Sequence, residues 1–135
     1  MDAAAAAFCH QDAPQSLLRA VRQFNSGRWF ECHETLEELW LAESGPGRDL
    51  YKGVLQVAIA CLHTRRGKYR GALSLLEGGC RYLEPFAGIC LQLDVDALLH
   101  DARALRRQLE RLGEEGMAGL DPDRMPVIRL VAPSD

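Results

Sequence analysis

The sequence predicts an all-α protein, a single-domain antiparallel bundle of about five helices with a short extended C-terminal tail. Three observations carry this reading. Apolar residues recur at spacings of three and four through five separate stretches, and Gly and Pro clusters rather than hairpin signals separate those stretches. The third is an internal echo: Gly27-Arg-Trp-Phe-Glu-Cys-His-Glu-Thr-Leu-Glu37 aligns with Gly67-Lys-Tyr-Arg-Gly-Ala-Leu-Ser-Leu-Leu-Glu77, 40 residues further on. Two such copies resemble helical-hairpin repeats. At one informative position they differ, since Leu73 stands where the first copy has His33.

The elements follow in order. Residues 1–11 are alanine-rich, carry Asp2 and no basic segment, and are expected to be a flexible leader. Asp12 is a candidate cap for the first helix and Pro14 falls in its first turn, with Leu17, Leu18, Val21 and Phe24 on one face and Asn25-Ser-Gly27 as the stop. The second helix spans about Trp29 to Ala42 and ends in Glu43-Ser-Gly-Pro-Gly47. The third, about Arg48 to Arg66, is apolar nearly all round and is expected at the centre. Tyr69, Ala72, Leu73, Leu76, Cys80 and Leu83 mark the fourth, in which Gly71 and Gly79 leave a groove for close approach. After a loop from Pro85 to Leu93, Asp94 caps the fifth helix, whose stripe runs to Gly113. The helical domain is thus 12–116, and 117–135 is a tail expected to lie extended across the helices.

Composition narrows the function classes. At 135 residues with 47% hydrophobic and 26% charged residues, the chain suffices for one domain with one core. A net charge of −3, from 19 acids interspersed with 16 bases, gives no footprint for nucleic acid or an anionic membrane. The longest apolar run, Gly53 to Leu62, is too short to span a bilayer. Cys9, Cys32, Cys61, Cys80 and Cys90 form no CxxC pair, and their odd number suits reduced, chemically quiet thiols in a cytoplasm. A second copy of this chain or another protein stays open as a partner.

The candidate site lies on the second and third helices. At about 100° per residue, Trp29, Phe30, Leu36 and Trp40 define an apolar face from which His33 and Glu37 project, with Glu34 on the flank. Gln56 and His63 share a stripe on the third helix, seven residues apart. Consecutive antiparallel helices would bring His33 or Glu37 into contact with Gln56 or His63, forming a buried polar cluster. Such a cluster organises the core, or binds a small ligand or divalent transition metal, with His33, Glu37 and His63 as ligands. A metal-dependent, hydrolase-like enzyme built on those three residues and a peptide- or protein-binding helical module are the alternatives. Glu37 occupies the place where a zincin helix needs its second histidine, and no Glu stands three residues before a His, as a ferritin-like di-iron site requires. Cys32 with His33, and Cys61 with His63, point apart on a helix and make no nucleophile–base pair.

These residues also carry a resemblance. Phe24-Asn25, then Phe30-Glu-Cys-His-Glu-Thr-Leu-Glu-Glu-Leu-Trp40, Arg48, Gly53-Val-Leu-Gln-Val-Ala58, His63, Arg66-Gly67 and Gly71-Ala72-Leu resemble the bacterial and archaeal family called domain of unknown function 309. The likeness runs from about Leu17 to Leu83. It implies a small all-helical domain, grouped in fold with the post-catalytic helical domain of hyaluronidases, and no particular activity. Its motif positions fall on His33, Glu34, Glu37, Trp40, Arg48, Gln56 and His63.

Overall fold

A computed structural model describes residues 2–133 and forms six α-helices in chain order. They are α1 (Ala3–Cys9), α2 (Gln15–Asn25), α3 (Trp29–Ala42), α4 (Arg48–Arg65), α5 (Tyr69–Leu83) and α6 (Val95–Gly116). Between α5 and α6 lies a two-residue hairpin of β1 (Ile89–Cys90) and β2 (Leu93–Asp94). The fold is all-α, as predicted, and from α3 onward each helix of the bundle packs on its predecessor.

The nearly unbroken apolar sequence of α4 puts it at the centre, with Leu50, Val54, Val57, Ala58, Ala60 and Cys61 fully enclosed by α3 and α5. α4 and α5 run antiparallel and touch backbone to backbone. A Cβ added to Gly79 would lie 3.1 Å from the Gly53 carbonyl oxygen, and one added to Gly53 would meet Leu83 at 2.7 Å. Only glycine leaves room for that approach.

The 40-residue echo is a repeated turn. Gly27 and Gly67 both adopt left-handed backbone, at φ +76° and +73°. The next amide closes each turn in the same way, Arg28 N–H onto the Gln23 carbonyl and Lys68 N–H onto the His63 carbonyl, both at 2.9 Å. Hairpins α2–α3 and α4–α5 are therefore two copies of one unit. The stops at Gly27 and Gly67 and the Asp94 cap, which accepts from Ala97 N–H at 2.9 Å, are as predicted.

Four expectations need correction. The leader expected at 1–11 is helical over Ala3–Cys9: its alanines are strong helix formers, Asp2 caps it, and the Phe8 ring fills the space above Gly47 and stands edge-on to Tyr51. Cys9 and Cys90 are joined as a disulfide, so the reading of five reduced cysteines holds only for Cys32, Cys61 and Cys80, all free and buried. Asp12 caps no helix among the described residues: α2 begins after Pro14 with no side-chain cap, and the Gln92 side chain accepts from the Ala13 N–H at 2.9 Å. The loop before the last helix contains the β-hairpin, turning through Leu91 and Gln92 at φ 48° and 66°.

The tail begins with two 3₁₀ turns, Met117–Gly119 and Pro122–Arg124, and then runs extended. Leu130 bridges to Leu93, Asp94 N–H reaches the Arg129 carbonyl at 2.9 Å, and Ile128 is buried. Met1, Ser134 and Asp135, within the expected leader and tail, lie outside the described residues. Among the described residues no helix is long and apolar enough to cross a membrane.

Candidate functional site

The buried side of α3 is Trp29, Cys32, Thr35 and Leu36. Thr35 Oγ1 is held by Gln23 Oε1 at 2.8 Å, which adds a polar tie to that face. Phe30, one residue on from Trp29, therefore points outward and is 47% exposed. The same rotation moves His33 to the edge and exposes Glu34 and Glu37. His33 Nε2 lies 3.3 Å from Glu37 Oε2, an i, i+4 pair with substantial exposure.

The loop after α3 returns the chain so that Arg48 and Lys52, one turn apart on α4, lie against Trp40. Arg48 Cζ is 4.1 Å and Lys52 Nζ 4.8 Å from the ring centroid, within reach of cation–π attraction. Further along the stripe, Gln56 and His63 are half-buried and meet α5 rather than α3. A Cβ on Gly71 would come within 2.7 Å of His63 Cδ2, and one on Gly78 within 2.5 Å of Gln56 Oε1. Two glycines seven residues apart thus seat two polar side chains seven residues apart. Burial first, and then the positive charges of Lys68 and Arg66, hold His63 below the ordinary imidazole pKa. The Nδ1 atoms of His33 and His63 are buried with no hydrogen-bond partner among the described residues.

This geometry corrects the predicted cluster. His33, Glu34, Glu37, Trp40, Arg48, Gln56 and His63 do occupy α3 and α4, but as a partly solvated surface stripe and not as a buried network. Among the described residues no hydrogen bond or ion pair joins His33 or Glu37 to Gln56 or His63, and Gln56 does not pair with His63. Nor do any three His, Cys, Asp or Glu residues among them converge to hold a metal ion, so the set His33, Glu37 and His63 is not assembled. The cause is the azimuth of α3. Treating Phe30 as core turned the assigned face toward His33 and Glu37, whereas Cys32 and Thr35 mark the true buried side. Sequence reasoning also passed over Lys52 as a second cation on Trp40 and Gly78 as the seat of Gln56. The matching seven-residue spacings were the available signal.

The family described as "Domain of unknown function (DUF309)" matches residues 17–75, which cover α2, α3, α4 and the first half of α5. This helical unit is a DUF309 domain. Its stripe of His33, Glu37, Trp40, Arg48, Gln56 and His63 lies entirely within the matched segment. The chain is 35% identical over 101 residues to the uncharacterised protein YpuF of Bacillus subtilis (strain 168), an alignment covering 72% of this chain. It spans 58% of the length of that relative. No solved structure matches the chain.

Proposed function

We propose that this DUF309 domain is a non-catalytic binding module that docks a protein segment on the outer face of α3, α4 and α5. The observation that carries the reading is the form of the stripe: its residues lie along an open face, flanked on α3 by Phe30 at 47% and Leu41 at 65% exposure. Small-molecule sites are concave, whereas protein contacts centre on aromatic and arginine side chains with a polar surround. Trp40 beneath Arg48 and Lys52 fits the second description. Phe30, Glu34, Glu37 and Leu41 form one outer ridge of α3, with apolar ends and an acidic middle. A complementary segment would present an apolar side chain to Phe30 or Leu41 and a carboxylate to the Arg48 and Lys52 pair.

A displayed random-peptide library panned against the full chain tests this, with Phe30→Asp and Trp40→Ala variants in parallel. The expected result is enrichment of peptides combining acidic and apolar residues, lost on both variants. No enrichment, or peptides that bind all three proteins equally, would overturn the proposal.

A further inference from the structure

The strongest unassigned feature lies away from that stripe, where the start of α3 and the end of α4 meet the C-terminal segment. A cavity of about 310 Å³ opens there, with Trp29, Thr64 and Arg65 on one side and Met117, Leu120 and Met125 on the other. A second cavity, of about 350 Å³, shares Trp29 and Met125 with it. Trp29 is 7% exposed, so its indole is wall and not surface. Its Nε1–H is buried and has no acceptor among the described residues.

Arg65 supplies the complementary charge. Its Nη1 donates to the Gly27 carbonyl at 2.7 Å and its Cζ lies 4.8 Å from the Trp29 ring centroid, so the guanidinium is held against the indole. No carboxylate among the described residues forms an ion pair with it, which leaves the remaining N–H donors for another anion. The Thr64 hydroxyl is committed to the Ala60 carbonyl at 2.8 Å and offers only acceptor capacity. Apolar walls and one fixed cation define a recognisable chemistry. A volume near the lower limit of ligand sites, roughly 300 Å³, restricts it to a small molecule.

We infer that this cavity binds a small carboxylic acid with an aromatic or branched apolar body, its carboxylate facing Arg65 and its body lying along the Trp29 indole. The apolar body packs on Met117, Leu120 and Met125. This site shares no residue with the proposed docking face and stands or falls independently of it.

The test titrates the ¹⁵N-labelled full chain with phenylacetate, 4-methylvalerate and the uncharged phenylacetamide, following the two indole N–H resonances. A Trp29→Phe variant assigns them, and the Trp40 signal serves as the internal control for fold. The acids are expected to shift the Trp29 resonance, since they pack against its indole, while Trp40 stays in place. Arg65→Gln is expected to weaken acid binding by about tenfold or more, the loss of one charge-assisted contact, with the Trp40 resonance still at its native position. Absence of a Trp29 shift at millimolar acid, equal binding of phenylacetamide, or full affinity in Arg65→Gln would each overturn the inference.

Discussion

The side-chain amide of Asn25 holds both backbone groups of Ile128, 103 residues away: Nδ2 donates to its carbonyl at 2.9 Å and Oδ1 accepts from its N–H at 2.8 Å. One residue at the end of α2 therefore fixes the extended tail. Asn25→Ala strands two backbone groups, and the expected loss is about 1–3 kcal/mol. Urea unfolding gives the magnitude, and faster exchange of the Ile128 amide shows that the tail has come away.

Reduction of Cys9–Cys90 should release α1 and leave the bundle folded. The disulfide closes a loop with a separation of 81 residues, and its loss is expected to cost about 2–4 kcal/mol. A strong reductant, or Cys90→Ser, should abolish exchange protection over Ala3–Cys9 while Val57 amide protection persists. The free thiols behave differently. Burial pushes Cys32 up to about 12 and raises Cys61 and Cys80, so a thiol reagent should label all three slowly in the native state.

His63 gives stability a pH dependence of known sign. Its pKa in the folded protein lies below the ordinary 6.5, so the unfolded chain binds the proton more tightly. The contribution of neutral His63 is therefore fully present above pH 6.5 and is lost as pH falls through its folded value. Melting curves of wild type and His63→Gln should diverge in that window and run parallel above it. A difference independent of pH would contradict the assignment.

The glycines of α5 should separate into two kinds. At Gly79 an added methyl meets backbone, Gly53 O at 3.1 Å and Val57 N at 3.3 Å, so Gly79→Ala should cost about 1–3 kcal/mol as α4 and α5 are forced apart. At Gly71 it meets the His63 ring, which can move, and the gain in helix propensity of about 1 kcal/mol offsets much of the clash. A double-mutant cycle of Gly71→Ala with His63→Ala should show coupling, whereas Gly79→Ala with His63→Ala should be additive.

The five helices from Gln15 to Gly116 and their stops were legible in the sequence because they rest on local chemistry. A glycine reaches the left-handed conformation at Gly27 and Gly67 whatever surrounds it, and Asp94 caps whatever helix follows it. The candidate residues were legible as a set but not in their burial. That depends on the rotation of α3, which Thr35 fixes by its bond to Gln23 on another helix. α1 was missed because a short run of alanines has no apolar stripe, and its anchor Phe8 matters only once Gly47 lies beneath it. The disulfide joins positions 81 apart, which no local pattern encodes.

Under tension that disulfide alters the mechanics of the chain. A pull arriving from the N-terminal side of Cys9 passes through the covalent bond to Cys90 and on into the hairpin, bypassing α2 through α5. The oxidised domain thus keeps a separation of 81 residues, roughly 270 Å of extended chain, out of the load path. Reduction returns that length to the path, so the same four helices that bear no force in one redox state become extensible in the other.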